Sequence, residues 1–480
     1  MNVSAYVFAL LVAASAVLAA IHVVMTKDDV RAAIAWLGFV LFVPFFGALF
    51  YVMFGVNRIR RRARHSRLKQ GLHARSSNPK PFEGPQLEDL VPEMPEHWSG
   101  HALLSGRIAE QPLSTGNIVE PLTSARSAYD AMVDAINGAQ ESIALTTYIF
   151  QADQAGRRFL TALRKAHERG VAVRVLVDSI GNLYGLRPVM RLLKKQGVPV
   201  ASFNPPSISW RMAFFNLRTH RKILVVDRLT GFAGGMNIRA SHLTGPDGRA
   251  KMKDTHFRIT GPLVAQLIDA FADDWLYSSG EDLIGPLWYE KCPCEEDGHV
   301  TARAVADGPD ETHHKTALIL ASALGCARRH VRITSPYFLP DNALTAALSS
   351  AALRGVIVDI LVPLQSNLPF INLAAAAHYP ALIRSGCRIH FGAPPFDHSK
   401  LAVIDDCWAM FGSSNWDARS LRLNFEFNIE AFGAKLPETL KPLLDAKFSE
   451  ATLLPANWWK KQPLWRRISA RLLWLTSPYL

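Results

Sequence analysis

Cysteine is scarce: Cys292, Cys294, Cys326, Cys387 and Cys407 are odd in number and scattered through 480 residues. That argues against a disulfide framework and fits a reducing compartment. Cys292-Pro-Cys294 has His299 nearby but no second pair of ligands, so a zinc site is not expected there. Charge is missing altogether from residues 3–25 and 32–56. No basic side chain precedes Lys27, which disfavours a signal peptide and leaves cleavage near the Ala-Ser-Ala at 14–16 as the weaker alternative. Acidic residues are the minority, 41 against 53 Lys and Arg, for a formal charge of +12. A basic balance favours polyanionic partners, either nucleic acid or an anionic lipid surface, and composition alone does not choose.

Each uncharged stretch is long enough to cross a hydrocarbon core of about 30 Å as a helix. Lys27, Asp28, Asp29 and Arg31 form a polar turn between them, so residues 1–57 are expected to be a transmembrane hairpin with spans at about 3–25 and 32–56. Arg58, Arg60, Arg61, Arg62, Arg64, Arg67 and Lys69 follow at once. The positive-inside bias then keeps that cluster and all that follows in the cytoplasm. Residues 58–104 read as a basic stretch and linker, rich in Pro, Gly and Ser from 70 to 100. At the far end, 456–480, Leu464, Trp465, Ile468, Leu472 and Leu475 can share one helical face, with Lys460, Lys461, Arg466, Arg467 and Arg471 elsewhere. That pattern fits a helix on a membrane surface, or equally one packed on the body of the protein.

Between these ends the chain says similar things twice, over 105–292 and 293–455. The β-rich run from Ile143 through Tyr148 to Asp153 resembles the run from Val331 through Tyr337 to Asp341. Helical stretches follow both, and Gly197 and Gly386 each close a helix. Alternating elements with short apolar strands predict an α/β fold, a mostly buried sheet in each half, and a pseudo-twofold seam that would hold a site.

The decisive repeat ends each half. His220-x-Lys222, four residues, Asp227, six residues, Gly234-Gly235-Met236-Asn237 is matched by His398-x-Lys400, Asp405 and Gly412-Ser413-Ser414-Asn415 at identical spacing. Even one His-x-Lys-x4-Asp arises by chance on the order of 0.03 times per chain. His and Lys two apart on a strand share a face. Doubling the set gives two imidazoles, two ammonium groups and two amides around one tetrahedral anion, with a nucleophile on one side and a proton donor on the other. Lysines neutralise the charge, so neither metal nor cofactor is expected. Asp254 and Glu426 follow their histidines by 34 and 28 residues and are expected to orient His220 and His398 respectively. Asp227 and Asp405 lie further along the strand and should brace the framework, the motif glycines, Gly235 among them, let the backbone approach closely, and Ser413 is a supporting residue at the position matching Gly235. His313-His314-Lys315 lacks the rest of the pattern and reads as a solvated helix start.

On these residues the chain resembles the phospholipase D superfamily over roughly residues 105–455, with its doubled His-x-Lys-x4-Asp motif. More narrowly it is similar to bacterial cardiolipin synthases with two transmembrane helices, through the N-terminal hairpin, Thr-Ser-Pro336-Tyr337, Asp254-Thr-His256 and Arg419 to Glu426. The resemblance implies two pseudo-twofold-related α-β-α sandwich domains and a multi-pass inner-membrane enzyme. It would move a phosphatidyl group between two phosphatidylglycerols through a phosphohistidine, with bilayer lipid and not nucleic acid as its partner. A lipid hydrolase and a membrane-tethered nuclease of the same superfamily are the alternatives. The superfamily often uses its first histidine as nucleophile, which points to His220. Ile238-Arg239-Ala-Ser-His242-Leu stands where the family often has an acidic-aromatic pair, a departure that bears on the acceptor alcohol.

Overall fold

The computed structural model describes residues 3–27, 30–55, 87–183, 188–204, 218–243, 251–289, 294–309 and 314–475. The run from Arg58 to Lys69, the linker up to residue 86, Cys292 and His313 lie outside them. The chain divides into two units, one of 1–66 with 206–216 and one of 67–205 with 217–480.

In the first unit Val3–Thr26 is one helix. Its Tyr6–Thr26 portion is, among the described residues, the one helix long and apolar enough to cross a membrane. The second apolar stretch corrects the expectation of a single span over 32–56. It is a helix Val30–Phe42, a break at Val43, and a helix Pro44–Phe50 that runs into a π turn Tyr51–Gly55. Proline lacks an N–H and its ring clashes with the carbonyl four residues back, so Pro44 opens a helix and cannot continue one. The chain then doubles back. Phe45 packs on Phe8 with centroids 6.2 Å apart, whereas Tyr51 returns to His22, its hydroxyl 2.8 Å from Nδ1. Gly47 permits the fold-back, because a Cβ there would stand 2.4 Å from the Phe39 carbonyl oxygen.

The second unit carries the repeat. Its first half holds β1 (Ser114–Leu122), β2 (Ser142–Thr147), β3 (Ala172–Asp178), β4 (Val200–Phe203) and β5 (Arg218–Thr219). It continues with β6 (Ile223–Val226), β7 (Thr230–Gly234), β8 (Met252–Lys253) and β9 (His256–Thr260). The second half opens with β10 (Val300–Asp307), β11 (His330–Thr334), β12 (Phe338–Leu339), β13 (Ile357–Pro363), β14 (Arg388–Gly392) and β15 (Phe396–Asp397). It ends with β16 (Leu401–Ile404), β17 (Trp408–Gly412), β18 (Trp416–Asp417), β19 (Asn424–Phe432) and β20 (Thr452–Leu453).

Sixteen of these strands form one sheet, ordered β20-β14-β13-β11-β16-β17-β19-β10-β1-β9-β7-β6-β2-β3-β4, with β5 beside β19. Read inward from β4 the order is 4-3-2-6-7-9-1, and read inward from β14, which the edge strand β20 flanks, it is 14-13-11-16-17-19-10. The two halves are the same motif turned about a pseudo-twofold axis. They join where β1 and β10 pair antiparallel, Ser114 opposite Ala302 and Asn117 opposite Val300.

Matching local chemistry builds each half. Asp153 and Asp341 cap the helices after β2 and β12, accepting from the N–H of Gly156 at 3.1 Å and of Leu344 at 3.0 Å. Gly197 and Gly386 sit at φ +75° and +99° just past helix ends, the left-handed region that glycine enters without strain. The parallel strands β2 and β3, and β11 and β13, carry apolar residues that are buried over most of their length. Each half closes its own core, one around Phe159, Leu163 and Val175, the other around Leu344, Leu348 and Ile360. Truncating any of these leucines to alanine costs about 2–5 kcal/mol.

Candidate active site

His220 follows β5 directly and His398 follows β15 directly, so the two edge segments decide where the imidazoles sit. Neither segment pairs within its own half. β5 runs parallel to the start of β19, Arg218 opposite Asn424 and Thr219 opposite Phe425, and the His220 N–H donates to the Phe425 carbonyl at 2.8 Å. β15 runs parallel to β8, Phe396 opposite Met252 and Asp397 opposite Lys253, and the His398 N–H donates to the Lys253 carbonyl at 2.8 Å. The halves therefore exchange short strands across the seam.

This exchange overturns the expected pairing of carboxylates with histidines. His220 Nδ1 lies 2.9 Å from Glu426 Oε2, and His398 Nδ1 lies 2.8 Å from Asp254 Oδ2. Each imidazole is aimed by the carboxylate of the opposite half. The reason is register: the residue after Phe425 is Glu426 and the residue after Lys253 is Asp254, so the exchanged strands deliver them beside the foreign histidine. With Nδ1–H given to the carboxylate, each ring keeps its Nε2 lone pair for chemistry.

The motif's small residues serve the crossed carboxylates. Ser413 Oγ donates to Glu426 Oε2 at 2.5 Å, and its carbonyl oxygen lies 3.1 Å from His220 Nδ1. Gly235 holds the equivalent place next to Asp254, where a Cβ would stand 2.3 Å from Oδ1. The shorter carboxylate is thus matched by a bare backbone and the longer one by a hydroxyl.

Both lysines are buried beside their histidines. Lys222 Nζ donates to the His220 carbonyl at 2.5 Å, and Lys400 Nζ donates to the His398 carbonyl and stands 2.9 Å from His398 Nδ1. Asn237 Oδ1 accepts from the Ile149 N–H at 3.1 Å, which leaves its amide protons for a ligand. Asn415 Nδ2 donates to Ser420 Oγ at 3.1 Å, while its buried Oδ1 has no partner. Asp227 accepts from the N–H groups of Gln140, Glu141 and Ser142 at 2.8, 2.8 and 2.9 Å. Asp405 accepts from Arg328, Arg329 and His330 at 2.7, 2.8 and 2.8 Å. Both stand in left-handed turns at the far ends of β6 and β16, φ +51° and +53°, and tie the hairpins to β2 and β11.

Burial sets the electrostatics. It pushes the Lys222 ammonium down to about 7 and the Lys400 ammonium down to about 8, against the pull of Glu426 and Asp254. Burial lowers His220, with Glu426 resisting and Lys222 and Lys400 adding to the fall. His398 is lowered well below its ordinary value by burial, then by Lys400, Lys222 and the imidazole of His220. Burial opposes charge on Glu426 as well, yet His220 and Lys222 hold that carboxyl below the usual range. Each lysine disfavours charge on the histidines and on the other lysine across the seam, and the two orienting carboxylates are already engaged. An anion bound there would favour the charged forms of the lysines and of one histidine.

Several participants were not singled out from the sequence. Tyr148 stands edge-on to His220 at 5.3 Å and Tyr337 edge-on to His398 at 6.2 Å, while Phe396 adds a third ring at 5.8 Å from His398. The repeated tyrosine in Thr-Thr-Tyr148 and Ser-Pro-Tyr337 was the available signal. Arg221, between the first histidine and lysine, bolts the seam. It is buried, 3.0 Å from Asp274, and donates to the Glu426 carbonyl at 3.1 Å. His242 is buried with neither ring nitrogen hydrogen-bonded, and burial pushes it down to about 3 despite Asp254. Lys315, expected in a solvated helix start, is buried instead, because its helix (Lys315–Cys326) begins under β10.

The family whose sequence model is described as "Cardiolipin synthase, PLD-like domain" matches residues 132–275 and 320–448, one segment in each half. The chain belongs to this family. A model described as "Phospholipase_D-nuclease N-terminal" covers residues 14–55. Cardiolipin synthase A of Pseudomonas putida (strain W619) is 30% identical over 467 residues, 97% of this chain and 96% of its own length. Cardiolipin synthase of Geobacillus thermodenitrificans (strain NG80-2) is 30% identical over 478 residues, 99% of this chain and 94% of its own. Among solved structures, phosphatidylserine synthase of Haemophilus influenzae Rd KW20 superposes with a TM-score of 0.63 at 14% identity, covering 79% of this chain and all of that one, which speaks to the fold alone. Membership of the family makes this chain a membrane-associated phosphatidyltransferase.

Proposed function

We propose that the seam site makes cardiolipin by transferring a phosphatidyl group from one phosphatidylglycerol to another. The observation that carries this reading is the crossed geometry of the buried site, with His220 held by Glu426, His398 held by Asp254, and Lys222 and Lys400 buried beside them, an arrangement that suits one phosphodiester monoanion. Full-length likeness to cardiolipin synthases supports the substrate class.

Nε2 of His220 attacks phosphorus and the bond to the glycerol headgroup oxygen breaks. His398, protonated once the anion is bound, gives that oxygen its proton, and glycerol leaves. The headgroup hydroxyl of a second phosphatidylglycerol then loses its proton to His398. Its oxygen attacks phosphorus, the P–N bond breaks, and His220 is restored. Lys222, Lys400 and the amides of Asn237 and Asn415 hold the non-bridging oxygens as charge builds. The basic run from Arg58 to Lys69 supports an orientation with the catalytic unit on the cytoplasmic side.

Purified protein given phosphatidylglycerol vesicles without divalent ions, with products followed by mass spectrometry, tests this. Cardiolipin with stoichiometric glycerol is the expected result. Phosphatidic acid as the main product means transfer to water, and inert lipid with cleaved DNA means a nuclease; either sinks the proposal.

A further inference from the structure

The helix Leu464–Trp474 is seated on the second half by one side only. Ala470 is buried, Leu473 and Trp474 pack on the core, and the Trp474 ring meets His378 edge-on at 5.7 Å. Just before it, Trp458 packs on Tyr379 and Phe391 at 6.0 and 5.7 Å. The orientation of the helix is therefore fixed. On its other side Leu464, Trp465, Ile468, Leu472 and Leu475 are 67%, 67%, 50%, 61% and 66% exposed. Four of them line an open groove of about 410 Å³, rimmed by Arg467 and Arg471. Those guanidiniums stack over Trp459 at 5.9 Å and Trp474 at 5.7 Å.

Charge identifies the occupant. Between 456 and 475 the chain has Lys460, Lys461, Arg466, Arg467 and Arg471 and no Asp or Glu. A second copy laid on this face would bring arginine against arginine with no carboxylate between them. An anionic leaflet offers phosphate to the cations, hydrocarbon to the leucines and a headgroup layer to the tryptophans.

We propose that this helix lies in the headgroup layer of an anionic leaflet, with Leu464, Trp465, Ile468, Leu472 and Leu475 buried in lipid and Arg466, Arg467 and Arg471 on lipid phosphates. The adjoining helix Pro369–Ala376 extends the surface: it packs against the C-terminal helix, and Phe370 and the preceding Leu364 are 43% and 53% exposed. From the same helix Ile371, with Leu368 just ahead of it, reaches inward to Tyr337 and Phe396, the rings beside His398. One helix thus links the leaflet to the wall of the active site. The inference is independent of which phosphodiester the site takes.

Photocrosslinking of the full chain reads it out. A benzophenone amino acid replaces Ile468, or Lys165 on an exposed face of the first half as reference, and the protein is placed in nanodiscs of phosphatidylcholine with or without phosphatidylserine. The expected result is phospholipid adducts on the peptide holding position 468, about tenfold above those at 165. They should rise with phosphatidylserine and fall in an Arg466→Gln, Arg467→Gln, Arg471→Gln variant. Adducts to a second copy or to another protein, lipid adducts no more abundant than at 165, or insensitivity to phosphatidylserine each overturn the proposal. Repeating the measurement with His220→Ala separates it from catalysis, because an inactive chain should give the same adducts.

Discussion

At the residue scale the two histidines are alike in surroundings but have different parts in the proposed reaction. His220→Ala and His398→Ala should each lower kcat with phosphatidylglycerol by about 10⁴-fold or more while the circular dichroism spectrum is unchanged. Near-normal turnover in either would refute a shared site. A phosphatidyl ester of p-nitrophenol, whose leaving group needs no proton, distinguishes the two roles. With it His398→Ala should accumulate a phosphohistidine at His220 that mass spectrometry detects, and His220→Ala should not. The crossed carboxylates then give a sharper result. Asp254→Asn should behave like His398→Ala, and Glu426→Gln like His220→Ala, each with a loss of about 10²-fold. The opposite assignment would mean that each half orients its own imidazole.

At the element scale the doubled motif was legible because His, Lys, Asp and the Gly-x-x-Asn stand on two short hairpins whose spacing is fixed by strand geometry. Asp227 and Asp405 each gather three consecutive N–H groups at the start of the neighbouring strand. Asp227→Ala should cost about 2 kcal/mol and lower Tm by several degrees with little change in KM. A change confined to kcat would contradict a bracing role. The crossed pairing was not legible. Separations of 34 and 28 residues to Asp254 and Glu426 are compatible with pairing inside a half or across the axis, and only the exchange of β5 and β15 decides. The break at Val43 is different. Pro44 announced it in the sequence, but uniform apolarity over 32–56 carried more weight than one backbone rule.

At the scale of the whole molecule the buried cations link fold to ligand. Lys222 and Lys400 titrate near 7 and 8 when folded, against 10.5 for the free side chain. The unfolded chain therefore binds more protons between those values and 10.5, and the empty protein gains stability as pH rises through that window. An anion in the site restores the charged ammonium groups and reverses the trend. Inorganic sulfate, which keeps its charge throughout, should raise Tm more at pH 6.5 than at pH 9 at constant ionic strength, and Lys400→Met should lose most of the difference. An equal rise at both pH values would show that the anion does not reach these lysines.

The exchange of β5 and β15 also makes the site late to form along the chain. A nascent chain that has not yet reached Glu426 carries His220 without the carboxylate that aims it. Asp254 meanwhile waits for a histidine still to be translated. Neither repeat alone holds a histidine together with the carboxylate that aims it, so premature termination or failure to close the seam leaves the site incomplete.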